Sequence, residues 1–182
     1  MRWHLKRTVA LVGMMGAGKT AVGTALARNL GVPFLDSDAE IVKAANREIA
    51  EIFERDGEPF FREKESQVIT RLLAAPRKSI LSTGGGAYLR EGNREAISRD
   101  GVAVWLKVPV EVLWSRVRSK NTRPLLRTEN PRATLEQLAQ AREPFYAQAE
   151  LTVEASAETT VEDMAARVIA ALEARPDVLS RR

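Results

Sequence analysis

The sequence predicts an α/β fold of three layers, with a central parallel sheet of about five strands flanked by helices. Short β-branched runs alternate with longer stretches of helical periodicity along the whole chain. The first of these runs leads through a glycine-rich loop into an amphipathic helix, the order that a parallel sheet covered on both faces requires. The length of 182 residues suits one domain with a sizeable core and leaves little for a second, so residues 1–182 are read as a single domain.

Thr8–Val12 is apolar and β-branched and reads as a buried strand. Lys19–Leu30 follows as a helix, ended by Gly31 and Pro33. Phe34–Asp36 is a second short strand, with helical segments after it around Ala39–Ala45 and Ile49–Arg55. Pro59 suits the first turn of the next helix, where Phe61, Val68, Ile69 and Leu72 share one face. Ser79–Ser82 and Val102–Leu106 are further strands, separated by a helix near Asn93–Arg99. Pro109 opens a helix that ends near Val117. Thr134–Tyr146 has helical spacing, and Pro144 is expected to break or kink its end. Leu151–Val153 is a last strand, and Thr160 with Asp163 resembles an N-terminal cap for a helix reaching about Glu173. Arg118–Arg132 is polar, basic and interrupted by two prolines. Arg175–Arg182 reads as a frayed basic tail. There is no internal repeat and no interdomain linker.

Composition narrows the chemistry. Apolar residues make up 45% and charged residues 29%, the balance of a soluble globular protein. No apolar stretch approaches the roughly 20 residues of a membrane-spanning helix. Arg2, Lys6 and Arg7 ahead of Val9–Met15 imitate a secretory signal, but cleavage there would destroy the loop that follows, so no signal peptide is expected. Cysteine is absent, which excludes disulfides, thiolate zinc sites and cysteine nucleophiles. The single histidine, His4, lies at a start expected to fray. Any catalysis must therefore draw on carboxylates, cationic side chains and backbone amides, with or without a metal ion. The net charge of +4 fits either nucleic acid or a small anion, and the position of the charges decides between them.

Gly13-Met14-Met15-Gly16-Ala17-Gly18-Lys19-Thr20 matches G-x-x-x-x-G-K-[ST] at every fixed position. Glycines let successive backbone N–H groups turn inward at phosphate oxygens, and Ala21 continues into the helix whose positive end faces the same anion. Lys19 can reach the β- and γ-phosphates, and the Thr20 hydroxyl can ligate Mg²⁺. The motif specifies a nucleoside triphosphate and says nothing of the acceptor.

Other segments supply weaker signals. Asp36 and Asp38 end the second strand, where alternate residues point the same way and face the ligand crevice. One carboxylate can hold Mg²⁺ through water and the other can accept a proton from an attacking hydroxyl; alternatively the Asp-Ser-Asp triplet only caps a helix. Arg62 beside Phe61 can grip a carboxylate bidentately, with Glu65 one turn away to hold it, or the pair is a plain surface ion pair. Ser82-Thr83-Gly84-Gly85-Gly86 ends a strand and removes side chains where a ligand can approach the backbone, although flexible turns use the same residues. Arg116, Arg118, Lys120, Arg123, Arg127 and Arg132 form a basic cluster suited to a lid closing over phosphates, or to a solvated loop. Arg142 is a further candidate anion clamp.

Taken in order, GMMGAGKT, Asp36-x-Asp38, Phe61-Arg62-x-x-Glu65, Ser82-Thr83-Gly84-Gly85-Gly86, Arg123-Pro124-Leu125-Leu126 and Arg142 ahead of Pro144 and Tyr146 resemble the shikimate kinase family from about Thr8 to Ile169. The resemblance implies a P-loop kinase fold with a mobile lid over about 118–132. It also implies transfer of the γ-phosphoryl of ATP to the 3-hydroxyl of shikimate, in aromatic amino-acid biosynthesis. On this resemblance Gly13 to Ala21 bind nucleotide, and Lys19, Asp38 and Arg123 are catalytic. Thr20 meets Mg²⁺ directly, and Asp36 and Ser82 approach it through water. Arg62 and Arg142 take the shikimate carboxylate, Gly84, Gly85 and Gly86 line its ring, and Phe53 and Phe61 wall the pocket. Glu65 orients Arg62, Arg123 arrives with the lid, and Arg118 and Ser156–Thr160 lie near adenine. A monomer in the cytoplasm is expected, with no nucleic-acid or membrane partner. The lid around Ser119–Asn121 is one residue shorter than the family pattern, which blurs the placement of Arg118.

Two rivals remain at this point. A kinase of similar build acting on gluconate or a nucleoside monophosphate would use the same loop. A nucleotide-dependent regulator or nucleic-acid-binding protein would interleave aromatic residues with its basic ones, and Arg118–Arg132 contains none.

Overall fold

Strand β2 (Thr8–Val12) is buried along its whole length, and the sheet is built outward from it. The computed structural model describes residues 2–119 and 126–182. Strands β3 (Phe34–Asp36), β4 (Ile80–Ser82), β5 (Gly101–Lys107) and β6 (Leu151–Glu154) complete a five-stranded sheet in the order β3-β4-β2-β5-β6. Every pairing in it is parallel. The six consecutive buried residues Gly101–Leu106 can arise only where helices cover both faces. From β2 the chain winds to one side through β3 and β4, then to the other through β5 and β6. In such sheets the ligand crevice opens at the carboxyl ends of the strands where the winding reverses.

Helix α1 (Lys19–Leu30) ends at Gly31 in the left-handed region, as the glycine allows. It packs against the sheet closely enough that a Cβ on Gly23 would meet the Phe34 ring at 2.6 Å. Helices α2 (Ser37–Ala45), α3 (Ile49–Asp56) and α4 (Glu58–Ala74) follow β3. They enclose a small separate core of Ile41, Ile52, Phe61, Val68, Leu72 and Leu81. A 3₁₀ turn (Ala87–Leu89) and α5 (Glu91–Asp100) lead into β5, and α6 (Val110–Val117) leaves it. Helix α7 (Pro131–Tyr146) is capped by Asn130, whose side chain accepts from Ala133 N. Helix α8 (Val161–Glu173) starts with the reciprocal Thr160–Asp163 box that the sequence suggested and packs on α1.

Four expectations are corrected. Helix α2 begins at Ser37, so Asp38 lies in a first helical turn and the strand alternation used to pair it with Asp36 does not apply. Helix α7 continues through Pro144 to Tyr146, because Pro144 falls in the last turn, which still closes from Ala147 N to Glu143 O at 2.9 Å. The segment expected as the end of the lid, from Pro131 onward, is helix. The tail expected to fray instead forms β7 (Leu179–Arg181), antiparallel to β1 (Trp3–Leu5). His4 lies in that ribbon, where Arg182 donates to its Nδ1. The tail was misread because its charge conceals an anchor. Val178 and Leu179 are 0% and 1% exposed, and Arg181 lies over the Trp3 ring.

That anchor is testable. Leu179→Ala is expected to cost about 2–4 kcal/mol, the range for emptying a buried leucine site, read as a lower midpoint in urea unfolding.

Candidate active site

The loop between β2 and α1 begins and ends in glycines with positive φ: Gly13 at 146°, Gly16 at 82° and Gly18 at 92°. Space makes a second demand at Gly16, where a Cβ would lie 2.8 Å from Val117 Cγ1. The loop therefore curls tightly and aims the first turn of α1 at its own centre, where the open N–H groups of a helix attract an anion. The Lys19 ammonium folds back onto the Gly13 carbonyl, which holds the cation at the mouth of the loop. Thr20, at the same mouth, is exposed, as is Ala21.

Beside this loop, Gly84, Gly85 and Gly86 each face a different polar side chain. A Cβ on Gly84 would stand 2.9 Å from Asp38 Oδ1 and 3.3 Å from Glu65 Oε2. One on Gly85 would stand 2.9 Å from Arg142 Nη1, and one on Gly86 only 2.5 Å from Arg62 Nη2. Gly86 has φ −92° and ψ −8°, a backbone that any residue adopts, so space and not conformation demands the glycine there. The segment is also tethered. Thr83 donates from its backbone and its hydroxyl to Leu11 O, and Gly84 N donates to Ser37 Oγ at 3.1 Å.

Arg62 donates to Glu65 Oε1 at 2.9 Å and lies 3.5 Å from Glu58, with its guanidinium over the Phe61 ring. Glu65 is 1% exposed and lies on the same helix face as Phe61, Val68 and Leu72. Burial pushes its pKa up, Arg62 pulls it back by charge and hydrogen bond, Asp38 pushes it up and Arg90 pulls it down. The Asp38 carboxyl is also pushed up, first by burial and then by Asp36; Lys19 and Arg62 oppose this. These opposing cations show that one carboxylate feels both the phosphate loop and the arginine of the glycine segment. Asp36 caps α2: its Oδ1 accepts from Asp38 N at 2.8 Å and Ala39 N at 3.3 Å. The capping alternative is therefore true of Asp36, and its second oxygen is not used by the cap. Asp36 is also the register partner of the buried Ser82, so the two sit side by side at the strand ends.

Phe53 and Phe61 stack at 4.6 Å between centroids, Phe61 buried and Phe53 exposed on the open side. Arg142 is buried, 8% exposed, on α7. A cleft beside the phosphate loop is lined by Ala17, Gly18, Arg116, Thr159, Thr160 and Met164, among others. Met14, Met15 and Ala17 are buried beneath the loop. Of the basic cluster, Arg116 turns inward and donates to Gly16 O at 2.8 Å, whereas Arg118 is exposed at the end of α6 and does not line the cleft. Lys120 and Arg123 lie outside the described residues. Sequence reasoning gave Arg116 no role of its own, since nothing in the pattern separates it from five neighbouring cations. It also passed over Ser37 as a tether. Among the described residues no group of three or more carboxylates and histidines is arranged to hold a metal.

The family model described as shikimate kinase matches residues 15–173. A shikimate kinase from Cereibacter sphaeroides is 69% identical over 176 residues, covering 97% of this chain and 87% of that protein. One from Ruegeria pomeroyi is 65% identical, covering 96% and 89%. Among solved structures, the shikimate kinase of Acinetobacter baumannii in complex with shikimate aligns with a TM-score of 0.85 at 39% identity, over 92% of this chain and 93% of that one.

The raised pKa of Asp38 has a consequence for stability. Its charged form is less favourable in the fold than in the unfolded chain, so the penalty is absent below the unfolded pKa and complete above the folded one. Asp38→Asn is therefore expected to melt at a higher temperature than the parent at about pH 7.5, with the difference closing as the pH falls towards about 4. Paired thermal scans across that range test it.

Proposed function

The chain belongs to the shikimate kinase family, and on that premise we propose that it transfers the γ-phosphoryl group of ATP to the 3-hydroxyl of shikimate with the division of labour described here. The observation that carries this reading is the glycine segment, over which two arginines and one carboxylate converge beside a phosphate loop.

Gly13 to Ala21 bind the triphosphate, with backbone N–H groups and the Lys19 ammonium on its oxygens. The cleft beside Gly18 takes the adenosine end of ATP, with Arg116 and Thr159–Thr160 at its edge in preference to Arg118. Shikimate lies on Gly84–Gly86 against Phe61 and Phe53. Its carboxylate is held by Arg62 and Arg142, two planar forks suited to one small anion. Asp38 receives the 3-hydroxyl. A carboxylate with a raised pKa is a better proton acceptor than an ordinary one, and its nearness to Lys19 aims the hydroxyl at the phosphoryl group. Phosphoryl transfer needs positioning and charge neutralisation more than covalent help, so a chain without cysteine lacks nothing the reaction requires. Arg123 and the basic residues around it, ahead of helix α7, act as a lid that brings positive charge to the transferring group.

The donors fit Mg²⁺, which takes oxygen ligands and keeps several waters, so it needs one or two protein groups and not a cage. Thr20 would bind it directly, and Asp36 and Ser82 would hold its waters. When bound, the ion neutralises phosphate charge. We further read the enzyme as a cytoplasmic monomer without nucleic-acid or membrane partners. Among the described residues no helix is long and apolar enough to cross a membrane, and Phe53, Phe60 and Val161 are the exposed large hydrophobics.

With Mg·ATP, ADP release is expected with shikimate and not with quinate, gluconate, a nucleoside monophosphate or no acceptor. Release with another acceptor alone would discard the substrate, and silence across the panel would discard the activity. A second expectation concerns the space at Gly86. Gly86→Ala should lower the melting temperature by several degrees, because the fork it displaces is the partner of the buried Glu65 carboxylate. The KM for shikimate should rise about tenfold or more as the Arg62 fork is pushed away, with the KM for ATP unaltered.

A further inference from the structure

Tyr146, the last residue of α7, is 1% exposed, and a phenol at that depth needs a polar partner. Its hydroxyl donates to Gly85 O at 2.7 Å. The Arg142 guanidinium, one turn earlier on the same helix, lies beside the same oxygen. A phenol has one proton to give, and here it goes to the carbonyl; its lone pairs are left to face the cation. Burial pushes the Tyr146 pKa up against the pull of Arg142, so the group is a neutral donor throughout the working range.

The ring is held as firmly as the hydroxyl. Trp105 stands at 6.0 Å between centroids, and Trp105 in turn lies 3.5 Å from the position of a Cβ on Gly13. Arg142 itself is buried, and among the described residues no carboxylate pairs with it, so none of them fixes the direction of the fork. Its neighbours in the site are Gly85 and the phenol.

We propose that Tyr146 is a positioning residue of the acceptor site, setting the Arg142 fork and the Gly85 carbonyl at a fixed separation so that the substrate carboxylate meets a prepared cation. The proposal rests on the reading of Arg142 as a carboxylate clamp. Without the phenol the guanidinium can swing, and the glycine segment keeps only its Ser37 and Leu11 tethers on this side. The loss falls on binding of the acceptor and not on the nucleotide, because Tyr146 reaches the phosphate loop only through an apolar ring.

The test is a double-mutant cycle on the enzyme in steady state. Tyr146→Phe keeps the ring and its packing and is expected to raise the KM for shikimate about tenfold, the worth of one buried hydrogen bond to a charged group. The KM for ATP should stay the same and kcat should change by less than about threefold. In the Arg142→Ala background the same Tyr146→Phe change should cost less than about twofold, since the fork it directs is gone. Equal losses in both backgrounds, or a matching rise in the KM for ATP, would overturn the positioning role. So would an unchanged KM for shikimate in the single variant. A parent enzyme that does not turn over shikimate would instead refute the function on which the proposal rests. Thermal scans of Tyr146→Phe with and without shikimate give a second measure: the ligand-induced rise should shrink relative to the parent while the ligand-free transition stays within a few degrees.

Discussion

Three missing Cβ atoms organise this molecule. Gly84, Gly85 and Gly86 leave room for Asp38, Arg142 and Arg62 in turn, and these come from α2, α7 and α4. A methyl group at any of the three would fall within 3 Å of a charged atom. The backbone thus serves as a floor on which charged side chains lie, and its tethers to Leu11 and Ser37 tie that floor to the central strand and to the start of α2.

Holding charges against a buried floor works against folding. Glu65 and Asp38 are both pushed towards their neutral forms by burial, and Arg142 is buried with no carboxylate partner among the described residues. The small core beneath α2, α3 and α4 supplies the opposing stability locally: Phe61, Val68 and Leu72 share one helix face with Glu65, so the apolar contacts that fix the helix also fix the carboxylate. Arg62 answers that carboxylate with a charge-assisted hydrogen bond, which removes the larger cost of an unpaired buried charge. Replacing Glu65 by an apolar residue would suit the core and release the arginine.

The central sheet was legible because burial on both faces writes continuous apolar runs, and Thr8–Val12 and Val102–Leu106 could hardly be anything else. The phosphate loop was legible because positive φ confines its positions to glycine. The terminal ribbon was not, since its two strands lie at opposite ends of the chain and three residues give no period to read. The reason given for placing Asp38 at the strand end does not hold. A strand was assumed to continue where Asp36 already capped a helix, and both geometries bring the second carboxylate to the strand end. Arg116 and Arg118 differ by which side of α6 they occupy, and a helix whose surroundings are unknown does not reveal that. Glu65 carried a readable signal: an acid at the i+4 position of an apolar stripe is either an error in the stripe or a residue kept for a partner.

The electrostatics of Asp38 join the two halves of the site. Two cations restrain its pKa, Lys19 from the phosphate loop and Arg62 from the glycine segment. A phosphate held by Lys19 weakens the first restraint, and a carboxylate held by Arg62 weakens the second, because each brings negative charge next to the cation. On the proposed function, a substrate carboxylate at Arg62 would therefore push the Asp38 pKa further up, while the Mg²⁺ that accompanies ATP would pull it down. The carboxylate thus answers to both halves of the site at once, a consequence of the positions of one acid and two cations around a single glycine floor.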